Sequence, residues 1–186
     1  LADTYFVGQL GTLQIAALTF TFPVVLVLNS INMGIGIGTS SVISRAAGEG
    51  NKKKVIRLTT ASLSLGFLIA FIAIIIGELT IEPLFRALGA TDDTMPYIIQ
   101  YMRIWYAGVP FVAVPMIGNN AIRALGDTKT PSIVMMVAAG ANIILDPLLI
   151  FGFWVFPELG VAGAAIATVL SRMITFVVAL YILGFR

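Results

Sequence analysis

The sequence predicts an all-α membrane protein, a bundle of six transmembrane helices with the first one truncated. Three observations carry this. Of its 186 residues, 59% are hydrophobic and only 11% charged, with a mean hydropathy of +1.00, whereas an average soluble domain is about 25% charged. Apolar runs of the ~20 residues that a bilayer requires recur along the chain. Lys and Arg collect in alternate connections between those runs, the asymmetry of a multi-pass protein.

Composition also limits function. The net charge of +2 is small and the basic residues sit at the ends of apolar runs, which gives a nucleic-acid partner no support. With no Cys and no His, thiol chemistry, disulfides and the usual zinc or haem sites lose their ligands. No cofactor is expected. Without a paired acid–nucleophile motif, neither is an enzyme.

The opening Leu1-Ala-Asp3-Thr-Tyr-Phe-Val-Gly-Gln reads as the last turns of a helix already under way, so the chain is expected to be a fragment lacking most of its first span. A second span starts at Gly11-Thr12 and stays apolar over 13–43, with Pro23 and Gly34-Ile-Gly36-Ile-Gly38 inside it. It exceeds spanning length, so it should tilt, kink near Pro23 or project into the cytosol. No strand precedes the glycine run, which therefore reads as close helix approach rather than phosphate binding. Asn29 and Asn32 suit interhelical bonding and cavity lining equally well.

A basic turn around Lys52, Lys53 and Lys54 leads to the third span, about 60–77. The next stretch sets Glu78, Glu82, Asp92 and Asp93 against Arg86, and its centre, 81–89, reads as a short interfacial helix ended by glycine. The fourth span, 96–121, contains Pro110 and Pro115 and opens with Tyr97, Tyr101, Trp105 and Tyr106, which fit an interfacial aromatic belt. Arg123 and Lys129 bracket the turn before the fifth span, 131–156. After Phe156-Pro-Glu-Leu-Gly160 comes the sixth, 161–183, with Thr168 and Arg172. The dipeptide Leu-Gly stands at four of the expected helix boundaries, at Leu10, Leu88, Leu125 and Leu159. By the positive-inside rule the turns near Lys53 and Lys129 are cytoplasmic. Six crossings then place the lost N-terminus and Arg186 on that same side of the cell membrane.

The strongest functional signal is Asn142-Ile-Ile-Leu-Asp146-Pro147 in the fifth span. A charge near the bilayer centre costs roughly 2.5–3.5 kcal/mol on insertion scales, and such residues default to function. Asn142 and Asp146 share one helix face, one turn apart, and Pro147 removes a backbone donor beside the acid. A polar face next to a weakened backbone fits the wall of a water-filled cavity. At 1.5 Å per residue, Asp146 and Asp3 count to ~8 Å below the outer surface, Tyr101 to ~9 Å and Thr168 to ~10 Å. Four spans thus bring polar groups to one level. Arg172 counts to ~17 Å, too far for a direct pair with Asp146, and reads as a structural residue that snorkels or bonds neighbouring carbonyls.

These residues carry a resemblance. The stretch from Leu1 to Gly11 resembles the end of the first helix in multidrug and toxic compound extrusion (MATE) transporters. Arg123-Ala-Leu-Gly-Asp-Thr-Lys-Thr-Pro131, Asn142-Ile-Ile-Leu-Asp-Pro-Leu-Leu-Ile-Phe-Gly152 and Phe156-Pro-Glu-Leu-Gly-Val-Ala-Gly-Ala-Ala-Ile-Ala-Thr168 are similar to that family in the same order. The resemblance implies that residues 1–186 are the N-terminal lobe of a pseudo-symmetric twelve-helix transporter, the C-terminal lobe being absent. It implies export of organic cations and drugs in exchange for protons or sodium. Asp3, Tyr101, Asn142, Asp146 and Thr168 match positions lining the N-terminal-lobe cavity in the prokaryotic branch related to DNA-damage-inducible transporters.

The expected function is therefore a secondary antiporter in which Asp3 and Asp146 hold the coupling ion. Protonated, the acids suit an apolar cavity; ionised, they attract a cation. Sodium at Asp3, Asn142, Asp146 and Thr168 is the other option, since their oxygens suit hard cations. The expected partners are the lipid bilayer, small organic cations or drugs, and the missing lobe. The alternative, a flippase for a lipid-linked sugar, calls for several cationic side chains facing the cavity, and Arg172 is the one deep candidate.

Overall fold

The computed structural model describes residues 2–152 and 158–185, apart from the side chains of residues 2, 3, 183 and 185. Six helices and no strand lie among them: α1 (Ala2–Gly8), α2 (Thr12–Gly48), α3 (Lys52–Ala87), α4 (Met95–Ala124), α5 (Lys129–Ile150) and α6 (Val161–Phe185). The all-helical bundle expected from composition is the fold observed. By length and apolarity α2, α3, α5 and α6 can each cross a membrane. The less apolar α4 is the central helix. It packs against α2, α3 and α6, and its buried residues run from Met95 to Ile122, so protein rather than lipid covers most of its surface.

Local chemistry sets the helix ends. The Asn51 side chain accepts a bond from the Lys54 amide at 3.0 Å and caps α3, as an N-cap oxygen does. Asp127 accepts from the Thr130 amide at 3.0 Å and from its hydroxyl at 2.6 Å, opening α5. The glycines of the four boundary Leu-Gly pairs, Gly11, Gly89, Gly126 and Gly160, have positive φ. Only glycine adopts that backbone freely, which is why it stands at these ends; Leu65-Gly66, inside α3, has no such role.

The expectations for the third span and for the aromatic belt are corrected, while the second span is over-long as read. The third span and the separate helix over 81–89 are one helix, since α3 runs through Pro83 to Ala87; a proline kinks a helix without having to end it. In the same way α2 passes Pro23 unbroken for 37 residues, ~55 Å, and outruns the ~30 Å hydrocarbon core. The aromatic belt is instead core: Tyr101, Trp105 and Tyr106 are 6%, 5% and 2% exposed, because the central helix has little lipid face to offer. Of the glycine run, Gly36 alone has a close neighbour, with Asn120 Nδ2 2.5 Å from where a Cβ would stand, while Gly34 and Gly38 face open space. The span reading also passes over Arg103 of α4, which pairs with Glu78 of α3 at 3.5 Å.

The fifth span proves shorter than 131–156. α5 stops at Ile150, one turn after Pro147, and its last carbonyls are taken by the next connection: the Leu159 amide donates to Leu149 O at 3.1 Å and the Gly160 amide to Ile150 O at 3.2 Å. Residues 153–157, including the start of the expected Phe156-Pro157 turn, lie outside the described residues.

Candidate functional site

The site is built where α5 ends and α6 begins. A Cβ on Gly163 would run into the carbonyl of Leu149, so the first turn of α6 rests directly on the α5 backbone. Ala162, Ala164, Ala165 and Ala167 surround this contact and are all buried, since α6 packs on both α4 and α5 here. Small residues are what lets two helices approach so closely within a membrane. That contact sets Thr168, one turn further along α6, relative to Asp146 near the end of α5.

Asp146 is 0% exposed. Asn142 Nδ2 donates to its Oδ1 at 3.2 Å, the contact that i,i+4 spacing on one helix face permits. A carboxylate is enclosed in this way only when neighbours supply hydrogen bonds.

Tyr101 and Thr168 come together on a cavity of about 260 Å³, walled also by Thr4, Thr21, Asn29, Trp105 and Arg172. The described wall comes from α1, α2, α4 and α6, so Asn142 and Asp146 on α5 stand outside it. Of the expected set, Tyr101 and Thr168 line this cavity, and half-buried Asn142 bonds the buried Asp146. Asp3 belongs to α1, and its side chain lies outside the described residues; the next residue, Thr4, lines the cavity.

Arg172 lines this cavity and a second one of about 430 Å³, and Asn29 and Val112 are likewise common to both. The second cavity lies between α2, α4, α5 and α6, towards the basic turns, with Ser30, Asn119, Asn120, Arg123 and Thr175 on its wall. Among the described residues Arg172 has no ion-pair or hydrogen-bond partner. A signal for it exists in the sequence. Thr168, Arg172 and Thr175 follow i, i+4, i+7 spacing and so form one stripe of α6. Asking only whether Arg172 could pair with Asp146 overlooked that stripe.

The chain matches the family model described as MatE over residues 1–148. It is 44% identical over 183 residues to a protein of Shewanella oneidensis named FAD transporter, covering 98% of this chain and 40% of that protein. To the multidrug export protein MepA of Staphylococcus aureus it is 31% identical over 172 residues, covering 92% of this chain and 37% of that one. A solved structure described as the inward-facing conformation of a multidrug resistance MATE family transporter superposes with a TM-score of 0.92 at 33% identity, over 97% of this chain and 40% of that one. The chain thus spans about 40% of the length of the proteins it matches.

Proposed function

The chain belongs to the MatE family, and from that premise we propose that it is the N-terminal lobe of a secondary antiporter exporting organic cations or drugs in exchange for protons or sodium. The carrying observation is Asp146, an acid wholly enclosed near the end of an apolar helix and held by Asn142. Asp3 and Asp146 take up and release the coupling ion. Neutral, they suit their apolar surroundings; ionised, they attract a cation. If the ion is sodium, oxygens of Asp3, Asn142, Asp146 and Thr168 supply hard ligands. Helix α1 packs on α5 and α6 and lends Thr4 to the cavity wall. A change of charge at Asp146 is thereby passed to the cavity through α1.

The lobe works against a C-terminal partner lobe in the cell membrane, with the turns near Lys53 and Lys129 and Arg186 in the cytoplasm. Cargo occupies the cavity beside Tyr101 and Thr168. A second reading of the cargo is favoured by Arg172 and Arg123 on the cavity walls: it carries an anionic group, as does a lipid-linked sugar or the dinucleotide for which the Shewanella relative is named. Dye efflux by the full-length protein in everted vesicles, driven by a pH gradient alone or a sodium gradient alone, tests the antiport. Efflux under one of them is expected, and efflux independent of both overturns the reading.

A further inference from the structure

The larger cavity is rich in donors and holds no carboxylate among its described residues. Arg123 near the end of α4 and Arg172 midway along α6 both line it, with Asn29, Asn119 and Asn120. Arg172 is half-buried in a helix that crosses the membrane, without a partner among the described residues. A guanidinium at membrane depth is costly, and such residues normally pair with an opposite charge or a carbonyl. Arg123 reaches the Met135 thioether, Nη2 to Sδ 3.7 Å, which is a weak acceptor. Half-buried Arg172 and exposed Arg123 therefore line one space, neither in an ion pair among the described residues. A guanidinium presents planar paired donors that fit a phosphate bidentately, and asparagine amides add neutral donors beside it.

The rest of the wall is apolar and adaptable, with Met33, Met116 and Met135 near Phe111. Methionine adjusts to varied flat or irregular surfaces. The volume of about 430 Å³ falls in the range of small-molecule sites, about 300–1,000 Å³. We propose that this cavity binds the phosphate group of an amphipathic cargo, with Arg172 and Arg123 on the phosphate and the methionines and Phe111 against its apolar part. The proposal rests on the transporter reading and uses residues other than the Asp146 pair. Because Arg172 also lines the smaller cavity, it stands where cargo passes from one chamber to the other.

Flavin mononucleotide and riboflavin share one ring system, and only the first bears a phosphate. Their binding to the purified full-length protein is read by fluorescence polarisation. The nucleotide is expected to bind about tenfold more tightly, the scale of a charge-assisted contact. Arg172→Met and Arg123→Met bring that ratio towards one and leave riboflavin binding in place, while Arg172→Lys keeps part of the preference. Equal binding of both flavins by the unaltered protein, or a preference that survives both methionine substitutions, overturns the proposal. Displacement of the nucleotide by adenosine monophosphate assigns the phosphate to a soluble nucleotide; displacement by lysophosphatidic acid alone assigns it to a lipid headgroup. The assay reads equilibrium binding and needs no ion gradient, whereas the antiport is read by efflux. Failure here is thus separable from failure of the antiport.

Discussion

Asn142 reaches across one turn of α5 to Asp146, Nδ2 to Oδ1 at 3.2 Å, and the acid it holds is fully enclosed. Replacing Asp146 with Asn keeps the size and hydrogen-bonding capacity of the side chain but removes its ability to ionise. Efflux driven by a pH gradient should collapse in Asp146→Asn, and in Asp3→Asn, while expression and cargo binding stay normal. Near-wild-type active efflux by both variants would sink the proposed coupling role.

The Asn142–Asp146 contact is itself measurable. Asn142→Ala takes one donor from a buried carboxylate, a loss of about 1–3 kcal/mol. In the Asp146→Asn background the partner is already neutral, so the same change should cost less. A double-mutant cycle on thermal stability should give a coupling of at least about 0.5 kcal/mol. Strict additivity would mean that the bond contributes nothing.

Much of this architecture is legible in the sequence because membrane helices declare themselves by length and apolarity, and glycines of positive φ, four of them after a Leu, stand between the helices. The i,i+4 relation of Asn142 to Asp146 follows from helix geometry alone. What sequence does not convey is which helix sits in the middle. Tyr101, Trp105 and Tyr106 look like an interfacial belt until α4 is surrounded by α2, α3 and α6. The place of Arg172 on two cavity walls is hidden for a related reason: it depends on which helices surround α6, not on the distance to one acid.

The α5–α6 junction should be the least tolerant point of the lobe. A side chain at Gly163 meets backbone, the Leu149 carbonyl and the Ile150 amide, which cannot swing aside as a flexible side chain can. Gly163→Ala is expected to destabilise the full-length protein by about 1–3 kcal/mol, the usual cost of overpacking. Gly48→Ala, in open space near the end of α2, should be close to neutral. Equal melting temperatures for the two variants would show that the junction is looser than the structure has it.

The orientation of the lobe gives the final prediction. Lys53 lies in the first turn of α3 and Asp92 in the turn that follows it, both exposed. That helix has 36 residues and so separates the two positions by ~54 Å, more than the hydrocarbon thickness. The chain contains no Cys, so single cysteines at 53 and 92 report without background. Neither change should perturb folding, since Lys53 makes no ion pair among the described residues and the Arg86–Asp92 contact at 2.9 Å is exposed, where ion pairs contribute little. A membrane-impermeant thiol reagent added to intact cells should label position 92 and reach position 53 only after permeabilisation. The two cavities inherit this polarity. With 92 outside, the Tyr101–Thr168 chamber opens towards the exterior, and the Arg123–Arg172 chamber lies nearer the cytoplasm, where phosphorylated cargo is made. Labelling of 53 in intact cells with protection of 92 would invert both assignments, and would make the arginine chamber an exit rather than an entry.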